Sequence, residues 1–269
     1  MDSRRDGLPR APELSVVLPC FEEEASLPAL VAELHAALAP LGRDYEIVCV
    51  DDASGDGTAA AVRRLAARSP DVRLLRHARR SGQSAALASG LRAARGSILL
   101  TLDADGQNDP ADLPALLAAL AAGADAACGV RLKRHDSWVR RASSRVGNSF
   151  RDVVTGVRVR DAGCAIRALR RECLAELPVF NGVHRFLPTV LRLQGFRVVE
   201  VPVNHRPRRA GVSKYGIGNR LVRGVIDCLA MRWFAWRLVP VRRLQGEPGA
   251  PVAVPVQDAP AAPARATSP

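Results

Sequence analysis

Apolar residues fall along the chain into short runs separated by stretches of helical period. Five runs have the length of buried strands: Leu14–Leu18, Glu46–Val50, Val72–Leu75, Ile98–Leu102 and Ala124–Val130. Between them lie four stretches that read as helices, Ser26–Ala39, Thr58–Arg68, Gln83–Arg95 and Pro110–Ala122. In the first, Leu27, Leu30, Leu34 and Leu38 recur at steps of three and four, the spacing of one buried helix face. Strand and helix in alternation predict βαβ units, and so an α/β domain with a mainly parallel sheet covered on both faces. Parallel open sheets take ligands outside the carboxyl ends of their strands. Asp51, Asp52, Asp103 and Asp105 all fall at such ends.

The last two residues carry the most chemistry. The run 97–110 is a short apolar strand closing on Asp103 and Asp105, spaced two apart. Strand side chains alternate, so extended geometry through Ala104 would point both carboxylates the same way. Paired there, they offer oxygen ligands to a hard divalent ion, which keeps several waters and takes further ligands from substrate phosphates.

Composition narrows the class. With 269 residues, 48% of them apolar, the chain can bury a sizeable core. Residues 1–12 read as a polar leader without the apolar stretch of a secretory signal. The Pro/Ala-rich segment 244–269 reads as a disordered tail. Cys20, Cys49, Cys128, Cys164, Cys173 and Cys228 show no C-x-x-C spacing, as expected of small buried thiols in a reducing cytoplasm. No G-x-G-x-x-G follows the first strand, which argues against a dinucleotide-binding enzyme.

Charge then adds a partner. The formal net charge is +12, and the stretch from Asn204 to Arg243 holds nine Arg and one Lys against a single acid, Asp227. It matches no nucleic-acid motif. From Ile217 to Val239 the residues Ile217, Leu221, Val222, Val225, Ile226, Leu229, Trp233 and Trp236 share one half of a helical wheel. Arg220, Arg223 and Asp227 take the other half, and Arg232 and Arg237 the edges. Charges this dense forbid a transmembrane span, each costing about 2.5 to 3.5 kcal/mol at the bilayer centre. Two readings stay open: a basic amphipathic helix lying in the headgroup layer, or a helix packed on the domain.

Five motifs, in order, carry a resemblance: LSVVLPCFEEEASL (Leu14–Leu27), IVCVDDASGDGT (Ile47–Thr58), SGQSAALASGLRAARG (Ser81–Gly96), LDADGQNDP (Leu102–Pro110) and RAGVSKY (Arg209–Tyr215). Together they resemble family 2 glycosyltransferases, most of all the dolichol-phosphate mannosyltransferase-like and polyprenyl-phosphate members. The resemblance implies a GT-A (Rossmann-like) catalytic domain over 13–205, then a basic loop and amphipathic membrane-surface helix over 206–243. It also implies Mg²⁺ or Mn²⁺, a nucleotide-sugar donor, and inverting transfer of mannose or another hexose to a polyprenyl (dolichyl or undecaprenyl) phosphate. That places the protein in the cytoplasm, peripheral to the inner face of the plasma membrane. Where the family reads Pro-x-Tyr-Asn-Glu, this chain has Pro19, Cys20, Phe21, Glu22 and Glu23, so a hydroxyl and an amide near the nucleobase are missing.

By the same resemblance Pro19, Phe21, Glu23, Asp51, Asp52, Gln83, Asp103 and Gln107 belong to the donor site, with Asp52 the nucleobase-contacting carboxylate. Asp103 and Asp105 hold the metal, and Lys214 sits on a loop that closes over the donor diphosphate. Arg131 and Arg145 lie near the acceptor phosphate, and His184 and Arg185 in an active-site segment. Asp161 aligns with a carboxylate proposed as catalytic base. Yet a phosphomonoester with a second pKa near 6 is mostly dianionic at neutral pH, so Asp161 equally reads as a positioning residue. Two rivals are a family 2 enzyme acting on a soluble or polysaccharide acceptor, and a non-catalytic nucleotide-sugar-binding protein.

Overall fold

The computed structural model of the protein describes residues 11–131, 150–175, 177–207 and 218–238. Among them seven strands form one sheet: β1 (Leu14–Cys20), β2 (Tyr45–Asp51), β3 (Val72–Arg76), β4 (Ile98–Thr101), β5 (Ala126–Arg131), β6 (Arg167–Arg170) and β7 (Val198–Val203). Their order is β3-β2-β1-β4-β6-β5-β7. Neighbours are parallel except around β6, which runs antiparallel to both β4 and β5. The mainly parallel α/β sheet is therefore as expected, with one reversed strand let into it.

Helices α1 (Leu27–Leu38), α2 (Thr58–Ala66), α3 (Gln83–Ala93) and α4 (Leu113–Ala121) fill the four predicted stretches. Their leucines explain the layers. Leu27, Leu30, Leu34 and Leu38 of α1, with Leu113, Leu116 and Leu120 of α4, pack on Val16, Leu18, Ile47 and Leu100. On the other face Leu87 and Leu91 of α3 meet Val17 and Leu99, beside Leu187 and Leu191 of a further helix, α5 (Val183–Leu193). α3 approaches the sheet so closely at Gly90 that any Cβ there would collide with Val17. All six cysteines are buried and unbridged.

Helix α6 (Gly218–Arg237) forms an outer layer on α5. The face it buries is not the one the wheel singled out. Cys228 and Met231, with Phe234 beside them, pack against Phe186 and Val190 of α5. Asp227 lies over the start of α5, its Oδ2 3.3 Å from where a Cβ on Gly182 would stand, and an acid there is favoured by the helix dipole. Val225, Ile226, Leu229, Trp233 (60% exposed) and Trp236 (83%) remain in solvent. Ile217, the side chains of Leu221 and Val222, the tail, and the leader up to residue 10 lie outside the described residues.

The amino-terminal end of the sheet is fastened by one carboxylate. Glu46 on β2 is 1% exposed and accepts Ser15 Oγ (2.7 Å), Arg73 Nη1 (2.6 Å), and the amide (2.6 Å) and Nε (3.0 Å) of Arg95. Burial pushes its pKa up, but these charged and neutral donors outweigh burial and hold it below the usual carboxylate range. Glu46→Gln should cost about 3 kcal/mol at neutral pH, read from denaturant midpoints. A lowered folded pKa makes this contribution complete above the ordinary value of about 4.3. It is lost as pH falls through the folded value. The difference between wild type and variant should accordingly close in acid; a difference that persisted undiminished at about pH 2 would contradict the ionic role.

Candidate functional site

The site lies at the carboxyl ends of β1, β2, β4 and β5. Because β6 is reversed, its first residue, Arg167, comes to the same end, opposite Thr101. β4 itself stops at Thr101, and residues 104–106 turn, Gly106 taking a left-handed φ of 72°. The strand alternation expected to align Asp103 with Asp105 therefore does not reach them. A turn sets the pair instead. Asp105 Oδ1 accepts the Gln107 amide (3.0 Å), and the Asp103 amide donates to Asn108 Oδ1 (3.1 Å).

Asp105 is buried and Asp103 half-buried at the cavity wall. Gln83, the first residue of α3, donates Nε2 to Asp103 Oδ1 (2.8 Å). Burial and then the Asp105 charge push Asp103 up to about 6, against the opposing fields of Arg167 and Arg131 and the Gln83 hydrogen bond. A proton held this high marks negative charge in excess, and a hard divalent cation is the group that would relieve it. Among the described residues no three His, Cys, Asp or Glu side chains cluster as a closed metal cage. The donor set thus fits an ion completed by water and substrate phosphate, as Mg²⁺ and Mn²⁺ are.

The neighbouring loops are tied to one another. The Glu22 amide donates to Ser54 Oγ and the Glu23 amide to Thr58 Oγ1, both at 2.9 Å. Glu22 and Ala53 adopt left-handed φ values of 56° in these loops, local strain of the kind that accumulates at functional sites. Asp51 accepts the Ser54 amide (3.0 Å) and faces Arg76 Nε across 3.0 Å. Asp52 accepts the amides of Ser81 (2.8 Å) and Gly82 (2.7 Å) and faces His77 Nδ1 at 2.7 Å. Burial pushes its pKa up, but those partners prevail and lower it. Both acids thus shape the loops around the crevice. Phe21 stacks under the Arg80 guanidinium, 4.0 Å from its ring centroid. Glu23 accepts Ser26 Oγ (2.8 Å) at the start of α1.

A second group surrounds a cavity of about 200 Å³ lined by Pro19, Gln83, Asp103, Arg167, His184 and Arg185, among others. His184 Nδ1 meets Ser84 Oγ at 2.7 Å. Burial, with the charges of Arg185 and Arg167, drives its pKa down to about 3. It is neutral at working pH. Asp161 is clasped by Arg131 through Nε (2.6 Å) and Nη2 (2.8 Å). A carboxylate in a bidentate ion pair is a poor proton acceptor and a good anchor. Arg145 and Lys214 lie outside the described residues.

The segment leading to Lys214 is nonetheless fastened at the carboxylates. The Arg206 amide donates to the Gln107 carbonyl (3.0 Å), Arg206 Nη2 pairs with Asp109 (2.6 Å), and Asn204 binds Asp112 through its amide (2.8 Å) and side chain (3.1 Å). Asn108, His77 and Arg167 were not found from sequence. A hint existed for Arg167 alone, a charge set inside the apolar run Cys164–Leu169.

The sequence profile described as Glycosyl transferase family 2 matches residues 15–177. An undecaprenyl-phosphate 4-deoxy-4-formamido-L-arabinose transferase of Aeromonas hydrophila is 37% identical over 220 residues, 80% of this chain and 67% of the relative. A dodecaprenyl-phosphate galacturonate synthase of Rhizobium johnstonii is 34% identical over 227 residues, covering 82% and 67%. In fold the chain resembles a mannosyltransferase of Pyrobaculum calidifontis solved with GDP-Man and Mn²⁺ (TM-score 0.57, 24% identity, 84% of this chain and 70% of that one). It also resembles glucosyl-3-phosphoglycerate synthase of Mycobacterium tuberculosis with Mn²⁺ and UDP (0.62, 23%, 82% and 80%). The fold is that of GT-A glycosyltransferases.

The raised Asp103 pKa makes cation and proton competitors for one carboxylate. Mn²⁺ affinity, measured by electron paramagnetic resonance without nucleotide, should be level above about pH 7. Below about pH 6 it should fall by up to about tenfold per unit. Asp103→Asn should bind more weakly and lose that dependence. Wild-type affinity unchanged on acidification would remove Asp103 from the ion site.

Proposed function

The chain belongs to glycosyl transferase family 2 and is a glycosyltransferase, and we propose that it moves a sugar, with inversion, from a nucleoside-diphosphate sugar to a polyprenyl phosphate. The observation that carries this reading is a surplus of guanidinium beside a carboxylate pair. Arg167 and Arg185 line the cavity next to Asp103, with Arg131 beside its Gly163 wall, and a phosphate acceptor is the partner such forks suit. Relatives whose names specify undecaprenyl- or dodecaprenyl-phosphate products support it from a second side.

In the proposed reaction a phosphate oxygen of the acceptor forms the new bond to the anomeric carbon. The bond from that carbon to the donor diphosphate breaks, and its electron pair leaves with the nucleoside diphosphate. A divalent ion held at Asp105 and Asp103 would neutralise charge on that leaving group. A dianionic acceptor needs no enzyme base, which accords with an Asp161 carboxylate already committed to Arg131. Asp161 is thus read as the residue that aims Arg131. The neutral His184 supplies no proton and contributes through Ser84 and its carbonyl, which accepts from Arg167. Lys214 is assigned to the donor diphosphate. Arg206, eight residues before it, is fastened to Gln107 and Asp109, and eight residues reach at most about 28 Å.

The test is a panel of nucleotide sugars offered with a short polyprenyl phosphate, the lipid product being weighed by mass spectrometry. One donor should give a glycosylated lipid phosphate. Asp105→Asn, which keeps shape but removes charge, should lower turnover about a hundredfold or more with the thermal melt preserved. Transfer to hydroxyl acceptors alone would overturn the reading.

We read the exposed face of α6 as the contact with the membrane that carries the acceptor. Among the described residues no helix is long and apolar enough to cross a bilayer. Val225, Ile226, Leu229, Trp233 and Trp236 face away from the packed Cys228 and Met231, with exposed Arg232 and Arg237 beside them. Each basic side chain near an anionic surface contributes about 1 kcal/mol, screened by salt. Apolar burial adds a salt-resistant part. Binding to anionic liposomes should therefore fall at high salt without vanishing. Replacing Trp233 and Trp236 by Ser should reduce what survives and slow turnover on membrane-embedded acceptor, while sparing a water-soluble prenyl phosphate. Equal losses on both acceptors would assign the face to the protein's own packing.

A further inference from the structure

Three arginines stand together around β6, and two of them are satisfied by the fold. Arg170 donates Nε to the Ala124 carbonyl (3.2 Å) and Nη2 to that of Leu120 (2.8 Å). Arg171 donates Nε to Gly96 (2.7 Å) and Nη2 to Ala94 (2.7 Å). These side chains close off helix and strand ends. Arg167 is more deeply buried, only 2% exposed, and less well partnered. Its Nη2 reaches the carbonyls of His184 (2.7 Å) and Ala162 (3.4 Å). Its Nε is buried with no hydrogen-bond partner, and no ion pair joins it to a carboxylate among the described residues.

A permanent charge in that state is costly unless something absent from the free protein completes it. The surroundings say what that is. Arg167 lines the cavity with Arg185 and Asp103. Gly163, on the same wall, would bring a Cβ within 3.1 Å of Arg131 Nη2. Of the acids nearby, Asp161 is clasped by Arg131, and Asp103 is held by Gln83 at the ion site. The missing partner is therefore an anion brought from outside. The fork of a guanidinium matches the oxygens of a phosphate.

We infer that Arg167 is a substrate-binding residue whose buried guanidinium grips a phosphate oxyanion drawn into the cavity beside Asp103. The inference rests on the glycosyltransferase reading above and deepens it. The oxyanion comes either from the acceptor's monophosphate or from the donor's diphosphate, and two measurements separate the sources. One is the KM for a short prenyl phosphate. The other is calorimetric binding of UDP and of GDP in the presence of Mn²⁺. Arg167→Gln should weaken one of the two by at least about tenfold, with the other within about twofold. Arg167→Lys, which keeps the charge but not the fork, should recover part of the loss. A change confined to prenyl phosphate assigns the acceptor, and one confined to the nucleotides assigns the donor.

Because Arg167 is buried, each variant is first checked by circular dichroism and thermal melting. Variants that fold and retain both affinities would overturn the inference, as would an Arg167→Lys protein that folds like wild type yet loses both affinities equally. Should wild type make no lipid product with any donor, the functional reading fails on its own. Inorganic phosphate then serves as the probe: it should raise the melting temperature of wild type and not of Arg167→Gln. An equal rise in both would overturn the role of Arg167 as well.

Discussion

Asp103 and Asp105 repel each other at the wall of the crevice, one half-buried and the other buried, and the rest of the site is arranged around that repulsion. Burial and, after it, the Asp105 charge raise the pKa of Asp103 to about 6. The fold does not let the carboxylates move apart. Gln83 grips one, the Gln107 amide caps the other, and Asn108 holds the backbone between them. Each of these comes from a different direction, so the turn is fixed by α3, by its own continuation, and by the 204–206 segment that fastens that continuation down. A site held in this way is organised before a cation arrives, and the energy of burying two like charges becomes available to metal binding.

The same logic explains why stability is concentrated elsewhere. At the opposite end of the sheet Glu46 is more deeply buried than Asp103, yet it is well paired, and its pKa moves the other way. Its partners come from β1, β3 and the end of α3, so one carboxylate fastens three elements where no ligand binds. The two ends of the sheet thus differ: Glu46 is satisfied by the chain and stabilises it, while the Asp103–Asp105 pair keeps an excess of negative charge.

What the sequence made legible follows from the range of the forces involved. Strands β1 to β5 and helices α1 to α4 were visible because hydrophobic period is a local signal, and Leu27, Leu30, Leu34 and Leu38 need no distant residue to be read. Strand β6 was not, since Arg167-Ala168-Leu169-Arg170 offers two apolar side chains between two charges, and only the carbonyls at Leu120, Ala124 and His184 make it burial-compatible. Helix α5 carries Pro188 inside it, which hides it from a propensity reading. Asp103 and Asp105 were identified from spacing, but their geometry was assigned to strand alternation when a turn through Gly106 produces it. Asp161 and Arg131 were both named, though not as partners, because a residue's spatial neighbour across 30 positions leaves no local trace. Helix α6 was recognised as amphipathic and left open between a headgroup-layer and a packed reading; the smaller set that packs on α5, Cys228 and Met231 with Phe234 beside them, is outweighed in any wheel by Val225, Ile226, Leu229, Trp233 and Trp236, which stay exposed.

On the proposed reading, that second face connects the membrane with the chemistry. Helix α6 does not touch the carboxylates; it packs on α5, and α5 begins at Gly182, beside Asp227, and presents His184 and Arg185 to the cavity within its first turn. Gly182 in turn donates its amide to Ser84 Oγ, the same hydroxyl that meets His184, one residue after Gln83. Helix α6 is thus joined through Met231 and Phe186 to α5, whose first turn meets Ser84 next to Gln83, the residue that holds Asp103. On the proposed reading, the helix that would rest on the bilayer is fixed to the helix that would meet the acceptor's phosphate. On that reading the height of the cavity above the membrane is set by the packing of two helices.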